Sequence, residues 1–304
     1  MLVTGGAGFV GSHIVDGLLA RGHDVLVVDD LSSGARSNLS PDAELVDLDV
    51  ADEALVGVSK TWGPDVISHL AAQASVPVSM ANPALDARVN ILGGLNVLRA
   101  AMDTDCKQVL YINTGGALYG EPEYLPCDED HPIRPISAYG LSKWTSECYF
   151  RTLLPDSIPL KVLRPANIYG PKQDPHGESG VIAIFARRML KGEQVTINGD
   201  GEHTRDYVYV GDVVEAHDLA MSHEDSFVAN VGTGVGTSVN EVFRHLQKVT
   251  GNDAPPEYGP PRPGDVRHIA LESSRAKLLL GWEPKVGLIE GLERTVASMR
   301  SADD

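Results

Sequence analysis

The two residues with the clearest chemical potential are Tyr139 and Lys143, in the string Tyr139-Gly-Leu-Ser-Lys143. Their i, i+4 spacing predicts that both side chains share one helix face. An ammonium beside a phenol favours the phenolate, and a phenol tuned this way can take a proton from a hydroxyl at neutral pH. Alone, the pattern also fits an exposed helix pair. A second pattern, at the start of the chain, gives it meaning. Thr4-Gly5-Gly6-Ala7-Gly8-Phe9-Val10-Gly11 follows an apolar run at residues 1–4 and opens a segment with Val10, Ile14, Leu18 and Leu19 at helical spacing. Gly6, Gly8 and Gly11 fit GxGxxG, and Gly5, Gly8 and Gly11 fit GxxGxxG. Small residues are needed there so that a pyrophosphate can approach backbone N–H groups at a helix N-terminus. Asp29 and Asp30 then end a second apolar run. A carboxylate in that place accepts both ribose hydroxyls of an adenosine and repels a 2′-phosphate, so the unit predicts NAD rather than NADP.

The elements that must carry these residues alternate. Apolar runs at residues 24–28, 65–71, 108–113 and 160–164 read as buried strands, and residues 9–21, 84–102 and 139–154 as helices. Such alternation predicts an α/β fold, a doubly wound parallel sheet with helices on both faces. It places an NAD-binding Rossmann domain at residues 1–165, with 207–233 returning to it, and a smaller C-terminal α/β substrate lobe at 166–304. Helices are expected at 181–191 and 238–250, and short strands within 194–210. Residues 254–264 carry five prolines and are expected to lack regular structure.

The formal net charge is −17. This surface repels nucleic acid and anionic lipid, so neither is expected as a partner. A phosphorylated ligand must then be held by local positive groups, which makes single arginines informative. No apolar stretch reaches membrane-spanning length, and the opening residues lack a basic start and a long apolar run, so no signal peptide is expected. Cys106, Cys127 and Cys148 are widely spaced without CxxC, which predicts no metal site, no disulfide framework and a cytoplasmic location.

With TGGAGFVG, HLAA at residues 69–72, the helix bearing Asn90 and YGLSK, the chain resembles the extended short-chain dehydrogenase/reductase family. RPANIYGPKQ (164–173), RDYVYVGD (205–212) and RPGD (262–265) extend the resemblance almost to the C-terminus and, within the family, point to the UDP-galactose (UDP-glucose) 4-epimerase group. The resemblance implies that Phe9 and Val10 join the glycine turn around NAD, and that Asp49 and Val50 flank the adenine. Leu70, Ala71, Ala72 and Asn90 line the dinucleotide path. Asn167 would touch the substrate, Arg205 and Arg262 grip its diphosphate, and Asp265 bind the uridine ribose. Two arginines in loops of so acidic a chain fit a diphosphate, although surface ion pairing fits them too. A homodimer is likewise implied by the family alone.

One departure stands out. The family usually carries Ser or Thr four residues before the Tyr of its YG motif, and here Gly115 occupies that position ahead of Tyr119. Thr114 is the nearest hydroxyl, at the C-terminal end of a strand where such sheets bind ligands; the alternative is a turn residue. The expected reaction inverts C4 of a UDP-hexose through a transient 4-keto sugar, with Tyr139 as base, Thr114 sharing the hydroxyl hydrogen bond and Lys143 holding the nicotinamide ribose. Gly115 and Gly116 stand where the 4,6-dehydratases carry an Asp-Glu pair, which argues against elimination. A UDP-glucuronate 4-epimerase stays open, with Asp174 arguing against a sugar carboxylate and Ser179 or Arg187 able to receive one. His176 reads as a surface residue. A sensor that binds NAD without turnover is the non-enzyme alternative.

Overall fold

The computed structural model describes residues 1–175, 180–261 and 266–303. Seven strands form one parallel sheet: β1 (Leu2–Thr4), β2 (Leu26–Asp29), β3 (Glu44–Asp47), β4 (Val66–His69), β5 (Gln108–Ile112), β6 (Leu160–Pro165) and β10 (Phe227–Val231). Their spatial order is β10-β6-β5-β4-β1-β2-β3. The order reverses at β1, so the crevice where ligands bind opens at the C-terminal end of that strand. Two small sheets complete the second lobe. In one, β7 (Asn167–Tyr169) runs parallel to β9 (Thr204–Tyr209), which pairs antiparallel with β11 (Gly236–Ser238). In the other, β8 (Thr196–Asn198) pairs with β12 (Glu257–Gly259).

The helices are α1 (Phe9–Ala20), α2 (Ala54–Trp62), α3 (Val76–Ala81), α4 (Pro83–Ala87), α5 (Gly93–Met102), α6 (Ala138–Leu153), α7 (Val181–Leu190), α8 (Val210–Met221), α9 (Val239–Thr250), α10 (Ser274–Leu280) and α11 (Leu288–Asp303). On one face of the large sheet, α1 packs beside α8; on the other, α5 packs between α2 and α6. The central strands are buried on both faces, which explains why their sequences are apolar without alternation.

The single helix expected over 84–102 is two helices joined by a π turn at Arg88–Leu92. Such turns bulge one side of a helix and concentrate near functional sites. The proline-rich stretch also differs from expectation. Residues 257–259 form β12 between the prolines, because Glu257 N–H reaches Val195 O at 2.9 Å and Gly199 N–H reaches Gly259 O at 2.9 Å. Prolines flanking an edge strand leave these few bonds intact.

The second lobe has its own core, in which Ile182, Phe185, Phe243, Leu246, Leu292 and Val296 pack together. Residues 266–282 belong elsewhere. Val266, Ile269, Leu271, Ala276 and Trp282 lie in the same apolar cluster as Leu110, Leu163, Val213 and Val231 of the large sheet and α8. The buried Trp282 indole donates to Asp212 O at 2.8 Å, and Cys127 N–H reaches Ala270 O at 2.8 Å. No helix among the described residues is long and apolar enough to cross a membrane.

Candidate active site

A cleft of about 1170 Å³ opens at the C-terminal ends of β1, β2 and β4. Its floor is the glycine turn. Gly5 has φ +71°, and a Cβ there would lie 2.5 Å from Ala71 N, so only glycine lets the turn sit against the chain leaving β4. A Cβ on Gly11 would lie 2.1 Å from Gly5 O, which locks α1 onto the turn. Gly8 caps α1 without any side-chain hydrogen bond. The first-turn N–H groups therefore remain available to an anion.

Phe9, Val10, Asp29, Asp30, Asp49, Val50, Leu70, Ala71 and Ala72 all line this cleft, together with Gly5, Gly8 and Gly11. The Asp29 carboxylate is buried and accepts from Ala7 N–H and Leu31 N–H, each at 2.9 Å. Burial pushes its pKa up while these two N–H groups pull it down. Asp30 accepts from the Ser32 hydroxyl at 2.6 Å. Asp49 pairs with Arg88 at 2.6 Å across the cleft. An uncapped helix start, an acid at the end of β2 and apolar walls from Val50, Val78 and Val89 fit an adenine dinucleotide.

Asn90 does not line the cleft. It is buried, and its amide is spent on protein partners: Gln73 N–H at 2.9 Å, Gln73 O at 3.0 Å, Asp86 at 3.1 Å and Ser142 Oγ at 3.0 Å. It ties the π turn to the loop after β4 and to α6, so it shapes the dinucleotide path through Gln73.

A strap from the second lobe crosses the cleft edge. The His13 ring donates to Pro171 O at 2.9 Å, and Lys172 reaches Asp16 at 2.7 Å and Asn38 O at 2.9 Å. Asn38 in turn donates to Ala7 O of the glycine turn at 2.9 Å. Lys172 holds φ +64°, a strained conformation for a residue with a Cβ. The clip is partly exposed, so its worth is modest. Lys172→Ala is expected to release bound dinucleotide several-fold faster on dilution, measured as nucleotide in the filtrate; an unchanged release rate would separate the strap from retention.

Tyr139 occupies the wall shared by this cleft and a second pocket of about 550 Å³. The start of α6 is pinned twice: Ser137 caps it by accepting from Gly140 N–H at 3.1 Å, and Tyr139 N–H donates to Ser79 Oγ at 3.0 Å. A Cβ on Gly140 would lie 2.3 Å from Ala117 O, so glycine lets α6 press against the loop bearing Thr114. The Thr114 hydroxyl meets the phenol and favours its ionised form, while burial pushes the phenol up to about 12, with Asp86 adding to the rise.

The Lys143 ammonium is directed at the end of β5. Lys143 is 2% exposed and donates to Ile112 O at 2.9 Å, above the Tyr111 ring. Burial lowers it to about 7, with Glu147 and Asp86 working to raise it. His69 below it is held neutral, lowered to about 3 by burial and then by Lys143.

The departure at Gly115 has a structural reason. A Cβ there would meet Leu271 Cδ1 at 2.3 Å and Arg164 O at 3.0 Å, so this position faces the core. Thr114 lines the second pocket, together with Gly116, Asn167 and Arg205. Arg205 donates to Thr204 O at 2.9 Å. Arg262 and Asp265, like His176 and Ser179, lie outside the described residues. Tyr207 was not singled out from the sequence. It lines the pocket, is buried, and has a hydroxyl without a hydrogen-bond partner among the described residues. Its alternation with Arg205 along β9 was the available signal. Among the described residues no group of three or more His, Cys, Asp or Glu is placed to hold a metal ion.

Known proteins share this arrangement. The sequence pattern of the NAD dependent epimerase/dehydratase family matches residues 1–232. A UDP-glucose 4-epimerase from Mycolicibacterium smegmatis is 44% identical, over 99% of this chain and 98% of its own. The structure of UDP-glucose 4-epimerase from Thermotoga maritima with UDP-glucose is 48% identical, with a TM-score of 0.97 over 100% of this chain and 99% of that one. The Thermus thermophilus UDP-glucose 4-epimerase complex with NAD is 44% identical, with a TM-score of 0.92 over 99% of each chain. With its glycine turn, acid-tipped β2 and Tyr139–Lys143 helix in one cleft, this chain is an enzyme that belongs to the NAD dependent epimerase/dehydratase family.

Proposed function

We propose that this enzyme interconverts UDP-glucose and UDP-galactose by inverting C4 of the sugar. The observation that carries the reading is the position of Tyr139, on the wall between a dinucleotide cleft and a second pocket, with Thr114 at its hydroxyl. NAD, when bound, supplies a hydride acceptor and then a hydride donor for C4. Gly5, Gly8, Gly11, Asp29, Asp30, Asp49, Val50 and Lys143 would hold it. Tyr139 takes the proton of the 4-hydroxyl as that carbon is oxidised, and Thr114 steadies the same hydroxyl. The 4-keto sugar turns over in the pocket, and Tyr139 returns the proton on reduction of the other face. Asn167, Arg205 and the Tyr207 hydroxyl hold the nucleotide end, with Arg262 and Asp265 assigned there from the sequence.

The lining includes uncharged Ala74, Val76, Gly116, Ala117 and Asn167, which suit a neutral hexose, together with the cations Arg188 and Arg205. Gly115 faces Leu271 and Gly116 has no side chain, so no acid–base pair for elimination stands after Thr114. The test is incubation of purified protein with UDP-glucose, UDP-galactose or UDP-glucuronate without added cofactor. Interconversion of the first two supports the reading. Turnover of the glucuronate alone, a 4-keto-6-deoxy product, or no product despite bound NAD would overturn it.

We also propose a homodimer. On α6, Leu141, Tyr149 and Leu153 form an exposed stripe at i, i+8 and i+12, and Leu85, Leu92 and Met102 are exposed on the neighbouring α4–α5 segment. Two copies of this face would bury it as a four-helix contact. Leu92→Glu with Leu141→Glu is expected to give a single-copy mass by light scattering with the fold intact; a dimer that persists would place the interface elsewhere. The three free cysteines support a reducing, cytoplasmic setting.

A further inference from the structure

We propose that Asn113 is the positioning residue for Thr114, locked in orientation by the buried Glu147–Arg164 pair. The idea rests on the reading of Thr114 as the hydroxyl beside Tyr139. It starts from a difficulty in the sequence. Thr114 is followed by Gly115, Gly116 and Ala117, so the segment has no large side chain of its own to fix its path. Yet Thr114 must hold its hydroxyl against the phenol.

The backbone on either side is anchored to β6. Asn113 N–H reaches Leu163 O at 2.8 Å, and Gly115 N–H reaches Pro165 O at 2.7 Å. Thr114 N–H, pointing the other way, is taken by the Asn113 side-chain oxygen at 2.9 Å. The Asn113 amide cannot flip. Its nitrogen donates to Glu147 Oε2 at 2.6 Å, and a carboxylate only accepts, so the oxygen must face Thr114.

Glu147 is itself fixed. Its two oxygens receive Arg164 at 2.5 and 3.1 Å, a two-point contact, with the glutamate fully buried and the arginine 2% exposed. The same guanidinium reaches the Tyr119 hydroxyl at 3.3 Å. One buried cation therefore holds both ends of the 113–119 loop, through Glu147 and Asn113 at one end and Tyr119 at the other. Glu147, Arg164 and Tyr119 line neither pocket, whereas Asn113 borders both. A buried pair of this kind contributes less to stability than to a unique geometry, and removing either partner strands a charge. The informative substitution is therefore at Asn113.

Asn113→Leu keeps the side chain's size and leaves Glu147 paired. The expected result is at least a tenfold fall in kcat, with KM for the UDP-sugar within about twofold and dinucleotide content unchanged. Asn113→Leu added to Thr114→Val should cost nothing further, because both remove the same contact. Multiplying effects in the double variant, or a wild-type kcat in Asn113→Leu, would overturn the proposal. A fall in kcat accompanied by loss of the fold would also overturn it. Amide hydrogen exchange over residues 114–117, in protein with NAD alone, reads the same idea without substrate. Faster exchange confined to that loop in Asn113→Leu supports it, and unchanged exchange sinks it even if wild type acts on no UDP-sugar.

Discussion

Replacing Tyr139 with phenylalanine is expected to lower turnover of the UDP-hexose about a thousandfold, within the span that removing a proton-transfer group typically costs. The substitution deletes one oxygen from a side chain already packed by the Ser137 cap and the Gly140–Ala117 approach, so the helix and the cleft should persist. Bound dinucleotide and thermal stability should match wild type. The measurement is kcat with dinucleotide content determined on the same sample. Interconversion within a few-fold of wild type would remove Tyr139 from proton transfer.

Thr114→Val tests the electrostatics of the same phenol. The Thr114 hydroxyl is the neighbour that lowers the Tyr139 pKa, against the burial that raises it. Its loss leaves the phenol harder to ionise. Activity that needs the phenolate rises with pH through that pKa, so the rising limb of kcat should move to higher pH in the variant. Each unit of movement costs about tenfold at fixed pH below the limb. A neutral-pH loss of ten- to a hundredfold, about one to two units of movement, is expected. Log kcat measured from pH 5 to 10 reads the displacement of the rising part below that pKa: a Thr114→Val line that coincides with wild type, or lies above it, would mean Thr114 does not touch the ionising group.

The sheet and the two ends of the cleft were legible because each has a local cause. Gly11 is demanded by its approach to Gly5 O within the same turn, Gly5 by its own φ of +71°, and Asp29 by a strand end. Tyr139 and Lys143 share a helix turn. What was not legible depends on partners far along the chain. Asn90 looked like a cleft residue, but its amide is claimed by Gln73, Asp86 and Ser142. The spacing of Lys143 placed it near Tyr139 but gave no sign of its bond to Ile112 O on β5. Gly115 looked like a missing hydroxyl until Leu271, from the other end of the chain, filled the space beside it. The Glu147–Arg164 pair gives no local pattern at all, since one member sits on α6 and the other on β6.

The placement of residues 266–282 against the large sheet has a consequence for synthesis. A fragment cut after residue 232, where the family's shared pattern stops, would still contain every strand of that sheet but not the plug formed by Leu271 and Trp282. It should be expressed as a sticky, poorly packed species rather than a stand-alone nucleotide module. On the ribosome the same logic holds. The nucleotide half cannot seal until Trp282 has left the exit tunnel, so the nascent chain must carry an open apolar seam through most of translation.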